Sequence, residues 1–364
     1  MVWLYLPDQE ATCFPIDCSH QIVKSMNPRM RDVAEKCGVS ESTVSHVING
    51  TKKVSAKTRQ LVEEAMEQLK YHRDSHARRL ARGHSDFLGL IISDIENPFF
   101  PSVIKSFETD ALENGFEVLL CTTNYDRART DNAFRKMIEN KSPGVAVMTS
   151  RVDGDMAKQL AEHGIASVFL DSNGADDLKS NIKLNYVRGA TEAIRYLHNL
   201  GHRRFALVAG PQNRASHIQY RQAIEAAVNE CGAELRVIVG NNDVASGEAA
   251  VQSLMTEKTL PTAILCSNDL TAMSVIRTLL KFGLRVPADI SVVGADDIPF
   301  AGLSQPGMTT VRLPRERLGC LAFDLLRNML ASPDKKGVEV IVDTELVIRE
   351  SSGIVPPPSS VKRM

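Results

Sequence analysis

The 364 residues are 43% hydrophobic and 24% charged, with a formal net charge of −1, which is the balance of an ordinary soluble globular protein of two or three domains. No apolar run approaches the roughly 18 residues of a membrane span, and no basic stretch leads into an apolar core at the amino terminus, so we expect no membrane partner, no secretory signal and a cytoplasmic location. The seven cysteines are scattered without a Cys-x-x-Cys pair, which argues against a disulfide framework or a cysteine-based zinc site.

A basic segment lies inside this nearly neutral chain. Between Arg29 and His84 there are 12 Lys or Arg residues against 7 Asp or Glu, a net charge of +5, so the rest of the chain carries −6 of the total of −1. A small basic module beside a larger acidic body is typical of a nucleic-acid binder that carries a second function. A solvated charged face without a nucleic-acid partner would give the same charge count.

Helical patterns begin only after the first 28 residues. Residues 1–28 contain the single Trp and no clear periodicity, and we expect a disordered extension there. Between 29 and 70, Gly38 predicts a turn after a first short helix, Ser40 is a candidate N-cap of a second helix, and Ser55 of a third. Two short helices that are joined by a glycine-containing turn and braced by a third predict a helix-turn-helix, with a generic three-helix bundle as the alternative.

The second predicted helix carries the candidate base-reading residues. In a helix-turn-helix, this helix enters the major groove and presents its first residues to base edges. Those positions are polar here, whereas Val44 and Val47 face inward. The predicted base-reading residues are Glu41, Ser42, Ser45 and His46.

Residues 71–85 are strongly basic and contain one large apolar side chain after Tyr71, that of Leu80. A short helix with so few apolar partners is not stable alone in water. The segment is therefore either a flexible linker or a hinge that folds against DNA, where a lone leucine suits a wedge between base steps in the minor groove.

Residues 86–353 alternate short runs rich in Val, Ile and Leu with longer amphipathic stretches. Continuous apolar strands separated by helices predict an α/β core of parallel, doubly wound sheets that are covered on both faces. The predicted strands are 87–93, 117–122, 145–149, 167–171, 204–209, 263–267 and 290–294. Because the region is too long for one such sheet, we expect it to form two lobes. A short disordered tail should follow them. The N-lobe should comprise about 86–185 and 312–341, the C-lobe about 186–311 and 342–353, and the tail 354–364.

Polar side chains gather where these predicted strands end. In open parallel sheets, ligands bind outside the carboxyl ends of the strands. Acidic groups accept hydrogen bonds from hydroxyls and aromatic rings stack on the apolar face of a sugar, so the combination predicts a polyhydroxylated ligand. Each Asp or Asn taken singly would also serve as a helix N-cap. The cleft candidates are Asn97, Phe99, Tyr125, Asp171, Asn268 and Asp296.

Common catalytic and cofactor motifs are missing from the sequence. No two glycines are separated by one residue, so the dinucleotide fingerprint is absent, and there is no phosphate-binding loop, Gly-x-Ser-x-Gly elbow or His-Glu-x-x-His helix. His198 and His202 have the spacing of a metal pair, but Gly201 lies where the helix should end. We expect His202 to contact the carboxyl-terminal carbonyls of that helix instead. The chain is thus expected to have no catalytic residue, metal or cofactor.

Several longer motifs follow one another along the chain. In the head they are Arg31-Asp32-Val33-Ala34, Gly38-Val39-Ser40, Thr43 to Asn49 and Val54 to Arg59. In the core they are Asn97-Pro98-Phe99-Phe100, Gly201-His202-Arg203, Ala209-Gly210-Pro211, Ser267-Asn268-Asp269 and Val286 to Gly294. Together they resemble the lactose-repressor (LacI-type) family of transcriptional regulators over about residues 30–353.

The resemblance implies a homodimer, or a dimer of dimers, whose paired heads bind a pseudo-palindromic operator. It implies a hinge that becomes helical on DNA, with Leu80 as the wedge, and a core similar to periplasmic sugar-binding proteins that closes on a small effector. Closure would change the operator affinity, which is a reciprocal coupling between two sites. The candidate DNA contacts then extend to Thr43, Asn49, Lys57, Arg59 and Arg78.

Some positions depart from the family's pattern. The family usually has Arg or a similar group at the position of His46 and often a small or aromatic residue at that of Glu41. The carboxylate of Glu41 would favour the amino group of a cytosine and repel phosphate. In the second lobe, the effector-binding Arg is either replaced by Tyr220 or displaced to Arg221, and Leu313 stands where a polar residue is common.

The sequence therefore predicts a DNA-binding transcriptional regulator, most simply a repressor. Its expected partners are double-stranded operator DNA, a sugar-like effector and further copies of the chain, in a dimer or a tetramer. Three alternatives stay open: a solute-binding protein without a DNA role, a regulator that answers to a phosphorylated carrier protein, and an enzyme that uses the cleft.

Overall fold

The computed structural model describes residues 28–50, 52–71, 85–149, 154–172, 174–176, 178–332 and 336–355. The chain divides into two compact units, one ending at Arg78 and one beginning at Arg79. Almost all of the predicted extension and most of the predicted hinge, including Arg78 and Leu80, lie outside the described residues, as does the predicted tail from 356 onward.

The described part of the amino-terminal unit, residues 28–50 and 52–71, contains three helices: α1 (Met30–Cys37), α2 (Glu41–Asn49) and α3 (Ala56–Gln68). Gly38 ends α1 in the left-handed region at φ 65°, where a side chain would be strained. Ser40 Oγ accepts a hydrogen bond from the backbone of Thr43 at 3.2 Å, and Ser55 Oγ accepts one from that of Thr58 at 3.1 Å. Both predicted N-caps are therefore confirmed.

The three helices enclose a small apolar core. It is built from residues spaced three or four apart on each helix, which places them on one face. The buried members are Val33, Ala34, Val44, Val47, Val62, Ala65 and Tyr71. Burying Val44 and Val47 turns the polar side of α2 outward.

The second unit contains two six-stranded sheets. The first sheet has the strand order β11-β5-β4-β3-β1-β2, and all of its pairs are parallel. Its strands are β1 (Phe87–Ile92), β2 (Glu117–Thr122), β3 (Gly144–Met148), β4 (Ala166–Leu170), β5 (Lys179–Asn185) and β11 (Glu339–Asp343).

The second sheet has the order β12-β10-β9-β8-β6-β7 and is parallel except where β12 runs antiparallel to β10. Its strands are β6 (Arg204–Ala209), β7 (Glu234–Val239), β8 (Ala263–Cys266), β9 (Ser291–Asp296), β10 (Thr309–Arg312) and β12 (Glu345–Val347).

Helices connect most of the parallel strands, whereas β4 to β5 and β9 to β10 are joined without a described helix. The helices are α4 (Phe100–Glu113), α5 (Arg127–Glu139), α6 (Gly154–Glu162), α7 (Tyr186–Asn199), α8 (Ala215–Glu230), α9 (Val244–Met255), α10 (Asp269–Lys281) and α11 (Arg315–Ala331). The predicted class, an α/β core of two parallel-sheet lobes with a helical head, is confirmed. The expected hinge helix falls outside the described residues.

The chain passes between the two sheets three times. It leaves the first sheet after β5, returns from β10 through α11, and leaves again between β11 and β12. The sequence did not predict strands β5, β7, β10, β11 or β12. Among these, β7, β11 and β12 lie at sheet edges, where one face is exposed and polar residues interrupt the apolar run.

His202 contacts the end of α7 through its backbone, as predicted, because its N–H donates to the carbonyl of Leu197 at 3.1 Å, but its ring does not bond to that helix. Its buried ring places Nδ1 at 3.0 Å from Oγ1 of Thr262 and Nε2 at 2.9 Å from the carbonyl of Gly353. Arg203 instead donates from Nη1 to the carbonyl of His198 at 2.7 Å. Within the described ranges, no helix is long and apolar enough to cross a membrane, and no His, Cys, Asp and Glu side chains cluster as metal ligands.

Candidate functional site

The outward side of α2 carries most of the predicted base-reading residues. Glu41 and Ser42 are exposed in its first turn, and Ser45 and His46 are half-buried further along. The Ser40 cap lies 2.8 Å from Oγ of Ser42, so this hydroxyl is already held by the start of the helix. Glu41, by contrast, is exposed at the first position of α2 and takes no part in this hydrogen bond.

The other predicted DNA contacts are spread more widely. Oγ1 of Thr43 lies 2.9 Å from Oγ of Ser40 and belongs to the cap. Lys57 and Arg59 are exposed at the start of α3. The side chain of Asn49, like the whole of Arg78 and Leu80, is outside what the structure describes.

In the second unit, the carboxyl ends of the two sheets enclose a cleft of about 780 Å³, part of it open to solvent. Both lobes contribute to its walls, as expected for ligand binding beyond the ends of parallel strands. Six of the predicted residues line it: Asn97, Phe99, Tyr125, Asp171, Tyr220 and Asp296.

Arg221 and Asn268 do not line the cleft. Arg221 turns along α8, where Nε donates to Glu225 at 2.6 Å and Nη1 to Gln212 at 3.1 Å. Asn268 caps α10 by accepting from the backbone of Thr271 at 2.9 Å. Its amide also donates to the carbonyl of Asn242, a cleft residue, at 2.9 Å. Asn268 therefore takes the N-cap role that the sequence left as its alternative.

On the first lobe, Asp171 is held by two hydrogen bonds. Oη of Tyr186 donates to Oδ2 at 2.6 Å, and the backbone of Leu184 donates to Oδ1 at 2.8 Å. Burial raises the pKa of Asp171 although these donors oppose the change, and burial beside this carboxyl raises the pKa of Tyr186 well above its usual value. Tyr186 lines the cleft but was missed, because it follows a strand that the sequence did not reveal.

Aromatic rings form much of the remaining wall. Phe99 and Phe100 meet edge to face with ring centroids 5.1 Å apart, and Tyr186 and Tyr220 do so at 6.2 Å. The guanidinium carbon of Arg214 lies 3.4 Å from the ring centroid of Tyr125, a cation–π contact that fixes that ring. The cleft thus combines apolar ring surfaces with a few polar groups.

The second lobe contains a buried carboxyl group, that of Asp269, which does not line the cleft. Asp269 accepts from Oγ1 of Thr310 at 2.6 Å and from the backbone of Ile298 at 2.8 Å. Burial raises the pKa of Asp269 to about 7 and raises that of its neighbour Asp296 well above the usual range. Burial alone would also raise the pKa of Asp297, but Arg312 and Arg349, each 2.7 Å away, lower it on balance.

His217 is a cleft residue that the sequence gave no signal to find. Burial, assisted by Arg214, lowers the pKa of its imidazole to about 4, so the ring is neutral near pH 7. Nε2 lies 3.3 Å from the side-chain amide of Asn242, which in turn lies against Ser267. All three residues line the cleft and offer neutral hydrogen-bonding groups.

Backbone strain is concentrated at the same place. Asn124, Tyr125 and Asp171 on the first lobe and Asp296 and Asp297 on the second have positive φ, with values from 47° to 107°. Such conformations are costly for residues with side chains and cluster at binding sites in many proteins. Three of these five residues, Tyr125, Asp171 and Asp296, line the cleft.

Residues 29–74 match the family model of "Bacterial regulatory proteins, lacI family", and residues 194–352 match that of "Periplasmic binding protein-like domain". The HTH-type transcriptional repressor PurR of Serratia proteamaculans is 33% identical over 330 residues, which cover 88% of this chain and 96% of that protein. The PurR of Edwardsiella ictaluri is 32% identical over 327 residues, with the same coverage.

Solved structures give the same picture. The Lac repressor dimer bound to operator and the anti-inducer ONPF has a TM-score of 0.79 at 27% identity, covering 90% of this chain and 99% of that one. The transcriptional regulator CelR in complex with cellobiose has a TM-score of 0.67 at 28% identity, covering 89% and 100%. Both matches extend over nearly the whole length of the solved chains.

Proposed function

The chain belongs to the LacI family of bacterial regulatory proteins, and we propose that its head binds operator DNA while its cleft binds a small, sugar-like effector that changes operator affinity. The resemblance inferred from the sequence motifs is thus confirmed. Proteins of this family are DNA-binding transcriptional repressors controlled by small molecules, and the chain is such a repressor rather than an enzyme.

The proposal for DNA binding is supported mainly by the orientation of α2. Its apolar side is buried in the head, so its polar side is left to meet the major groove. Glu41, Ser42, Ser45 and His46 read bases in this arrangement, and Lys57 and Arg59 bind phosphates. The presence of this head speaks against a solute-binding protein without a DNA role.

The proposal of a sugar-like effector is supported by the composition of the cleft. Ring faces such as Phe99 cover the apolar side of a sugar, and neutral or carboxyl groups such as Asn97 and Asp296 bind its hydroxyls. The related regulator CelR binds cellobiose. Tyr125, Asp171 and Tyr220 complete the proposed contact set.

Regulation follows from the two-lobed design. An effector that touches both lobes favours one relative arrangement of the lobes, and the linked head then binds its operator more or less strongly. We propose a homodimer, because a pseudo-palindromic operator needs paired heads and a Lac repressor relative is solved as a dimer on its operator. Association of two dimers into a tetramer and a cytoplasmic location remain part of the proposal.

A fluorescence anisotropy titration tests the proposal. The labelled duplex carries the region upstream of the protein's own gene, and a scrambled duplex of equal length is the control. We expect a preference for the upstream duplex of at least about 10³ near physiological salt. Equal affinity for both duplexes at every salt concentration would contradict operator binding. Analytical ultracentrifugation of the same preparation distinguishes monomer, dimer and tetramer.

A further inference from the structure

A buried cation at the start of α11 has unsatisfied hydrogen-bond donors. Arg315 is the first residue of that helix and is only 8% exposed. Its Nε and Nη1 atoms have no hydrogen-bond partner among the described residues. Buried guanidinium nitrogens are normally paired, because removing an unpaired charge from water is costly.

The strand register places Arg315 next to the cleft. In the parallel pair of β10 and β9, Arg312 lies opposite Asp296, which is a cleft residue. The chain then continues through Leu313, which also lines the cleft, to Arg315. Arg315 is not itself among the lining residues, but it follows Leu313 by two positions, and its charge opposes the rise in the pKa of the Asp296 carboxyl.

Among the described residues, Arg315 has no carboxylate within ion-pair distance, since its donors Nε and Nη1 are unpaired. Burial and the neighbouring Asp269 raise the pKa of Asp296, although Arg315 opposes the change. Asp297 is already paired with Arg312 and Arg349 at 2.7 Å each. No described carboxyl group therefore pairs with the Arg315 guanidinium.

The backbone around Arg315 favours negative charge as well. The N-cap of α11 is Pro314, whose side chain makes no capping hydrogen bond. The amino-terminal end of a helix of 17 residues carries partial positive charge from its unpaired N–H groups. The amino-terminal end of α11 and the guanidinium of Arg315 therefore both attract negative charge.

Across the cleft, Tyr220 supplies an unused polar atom. Its side chain is 4% exposed and lines the cleft, and its Oη has no hydrogen-bond partner among the described residues. A phenol hydroxyl can donate to an acceptor on a ligand. The cleft wall therefore offers one unused donor, Tyr220, and the unpaired donors of Arg315 lie two residues beyond the lining residue Leu313.

We propose that the effector carries an anionic oxygen group, a carboxylate or a phosphate ester, that binds the Arg315 guanidinium while Tyr220 donates to another oxygen of the same molecule. This rests on the proposed role of the cleft and specifies the effector as a sugar acid or a sugar phosphate. Arg315 acts here as a specificity-determining residue that distinguishes charged ligands from their neutral parents.

Thermal unfolding of the full chain tests the anion site with inorganic phosphate as the probe. The wild type is compared with Arg315→Gln and with Arg317→Gln, an exposed arginine two positions along the same helix. Each is heated in sodium phosphate and in sodium chloride of equal ionic strength. Phosphate should raise the Tm of the wild type and of Arg317→Gln by several degrees more than that of Arg315→Gln. Equal phosphate-specific shifts in all three proteins would overturn the proposal.

Arg315→Met separates binding from a structural role, because methionine keeps the apolar stem and removes only the charge. If the charge is uncompensated, the Tm of this variant in chloride stays at the wild-type value or rises. A fall of several degrees would show that Arg315 is already paired within the protein, which contradicts the proposal.

Isothermal titration with D-gluconate, D-glucose 6-phosphate and D-glucose resolves the source of the anion. At least one charged probe should bind the wild type tenfold or more tightly than glucose, and Arg315→Gln should reduce that ratio to about one. Glucose that binds as tightly as both charged probes overturns the proposal, and if none of the three binds, the phosphate comparison decides. Binding of the wild type to DNA is measured separately in the anisotropy titration. A repressor with an uncharged effector would prefer the operator duplex and fail the tests with charged probes. A wrong repressor assignment would instead remove the preference for the operator duplex.

Discussion

The backbone N–H of Gly189 in α7 donates a hydrogen bond to Oγ1 of Thr344, at 3.1 Å. Thr344 lies between β11 and β12, where the chain crosses from one sheet to the other, and its hydroxyl also donates to the carbonyl of Asn185 at 2.8 Å. These two hydrogen bonds connect the crossing after β5 with the crossing between β11 and β12.

Gly189→Ala should destabilise the core. A Cβ at this position would lie 2.5 Å from Cγ1 of Val311 and 2.6 Å from Oγ1 of Thr344, so the crossing strands would have to shift. Overpacking of this kind costs about 1–3 kcal/mol, measurable by urea unfolding. Gly302→Ala is the matched control, because its Cβ would meet no atom closer than 3.8 Å. Equal losses in both variants would contradict a special role for the crossing.

Tyr186→Phe should weaken the first lobe by removing the donor to Asp171. The lost hydrogen bond is 2.6 Å long and leaves a buried carboxyl oxygen without that partner, which costs about 1–3 kcal/mol. The control is Tyr196→Phe, whose hydroxyl lies 3.1 Å from that of Ser352, and a smaller loss is expected there. Urea unfolding at pH 7 measures both, and a double variant with Asp171→Asn should lose less than the sum of the single losses.

His217 should make the stability of the core depend on pH below neutrality. Its pKa is about 4 in the folded protein and about 6.5 when unfolded, so the unfolded chain binds the additional proton first as the pH falls. The contribution of the neutral ring is complete above pH 6.5 and is lost between 6.5 and 4, by at most about 3 kcal/mol.

The comparison of wild type with His217→Gln isolates the contribution of the His217 imidazole to the free energy of unfolding. Between pH 7 and pH 4, the wild type should lose more unfolding free energy than the variant does. His163→Gln, at an exposed histidine outside the cleft, is the control and should follow the wild type. Parallel curves for wild type and His217→Gln would show that the imidazole does not titrate as its burial implies.

The strands that could be predicted from the sequence are those whose burial on both faces makes their residues continuously apolar. The central strands β1 and β3 are buried on both faces, so they appear as continuous apolar runs. Strands β7 and β11 lie at sheet edges and consist almost wholly of exposed and half-buried residues, and their sequences contain charges that interrupt the apolar run. The caps at Ser40 and Ser55 were predictable because their hydrogen bonds are local.

The cleft was predictable only in part, for a related reason. Asp171 and Asp296 follow apolar runs, so their place at strand ends is visible in the sequence. Tyr186 and His217 lie in the first turns of helices and reach the cleft only through the packing of α7 and α8. Asn268 shows the converse limit, since a residue at a strand end can be used by the next helix as its cap.

Arg59→Ala should reduce the salt dependence of DNA binding. Each phosphate contact contributes about −0.9 to the slope of log K against log salt on duplex DNA, so losing one contact makes the slope shallower by about that amount. Operator and scrambled duplexes should lose affinity alike, because a phosphate contact carries no sequence information. Lys105→Ala, an exposed lysine on α4, is the control, and a slope change of similar size there would contradict a specific role for Arg59.

Glu41→Ala should relax sequence preference at one base pair of the operator. A carboxylate in the major groove accepts a hydrogen bond from the amino group of cytosine and repels the phosphates around it. Removing it should therefore reduce discrimination at one position by about 1–3 kcal/mol, while non-specific affinity rises because a negative charge is gone. Selection of bound sequences from a random library with wild type and variant measures both effects. Glu63→Ala, which removes an exposed carboxylate from α3, is the control and should leave the base preferences unchanged. Unchanged base preferences together with unchanged non-specific binding would remove Glu41 from the recognition surface.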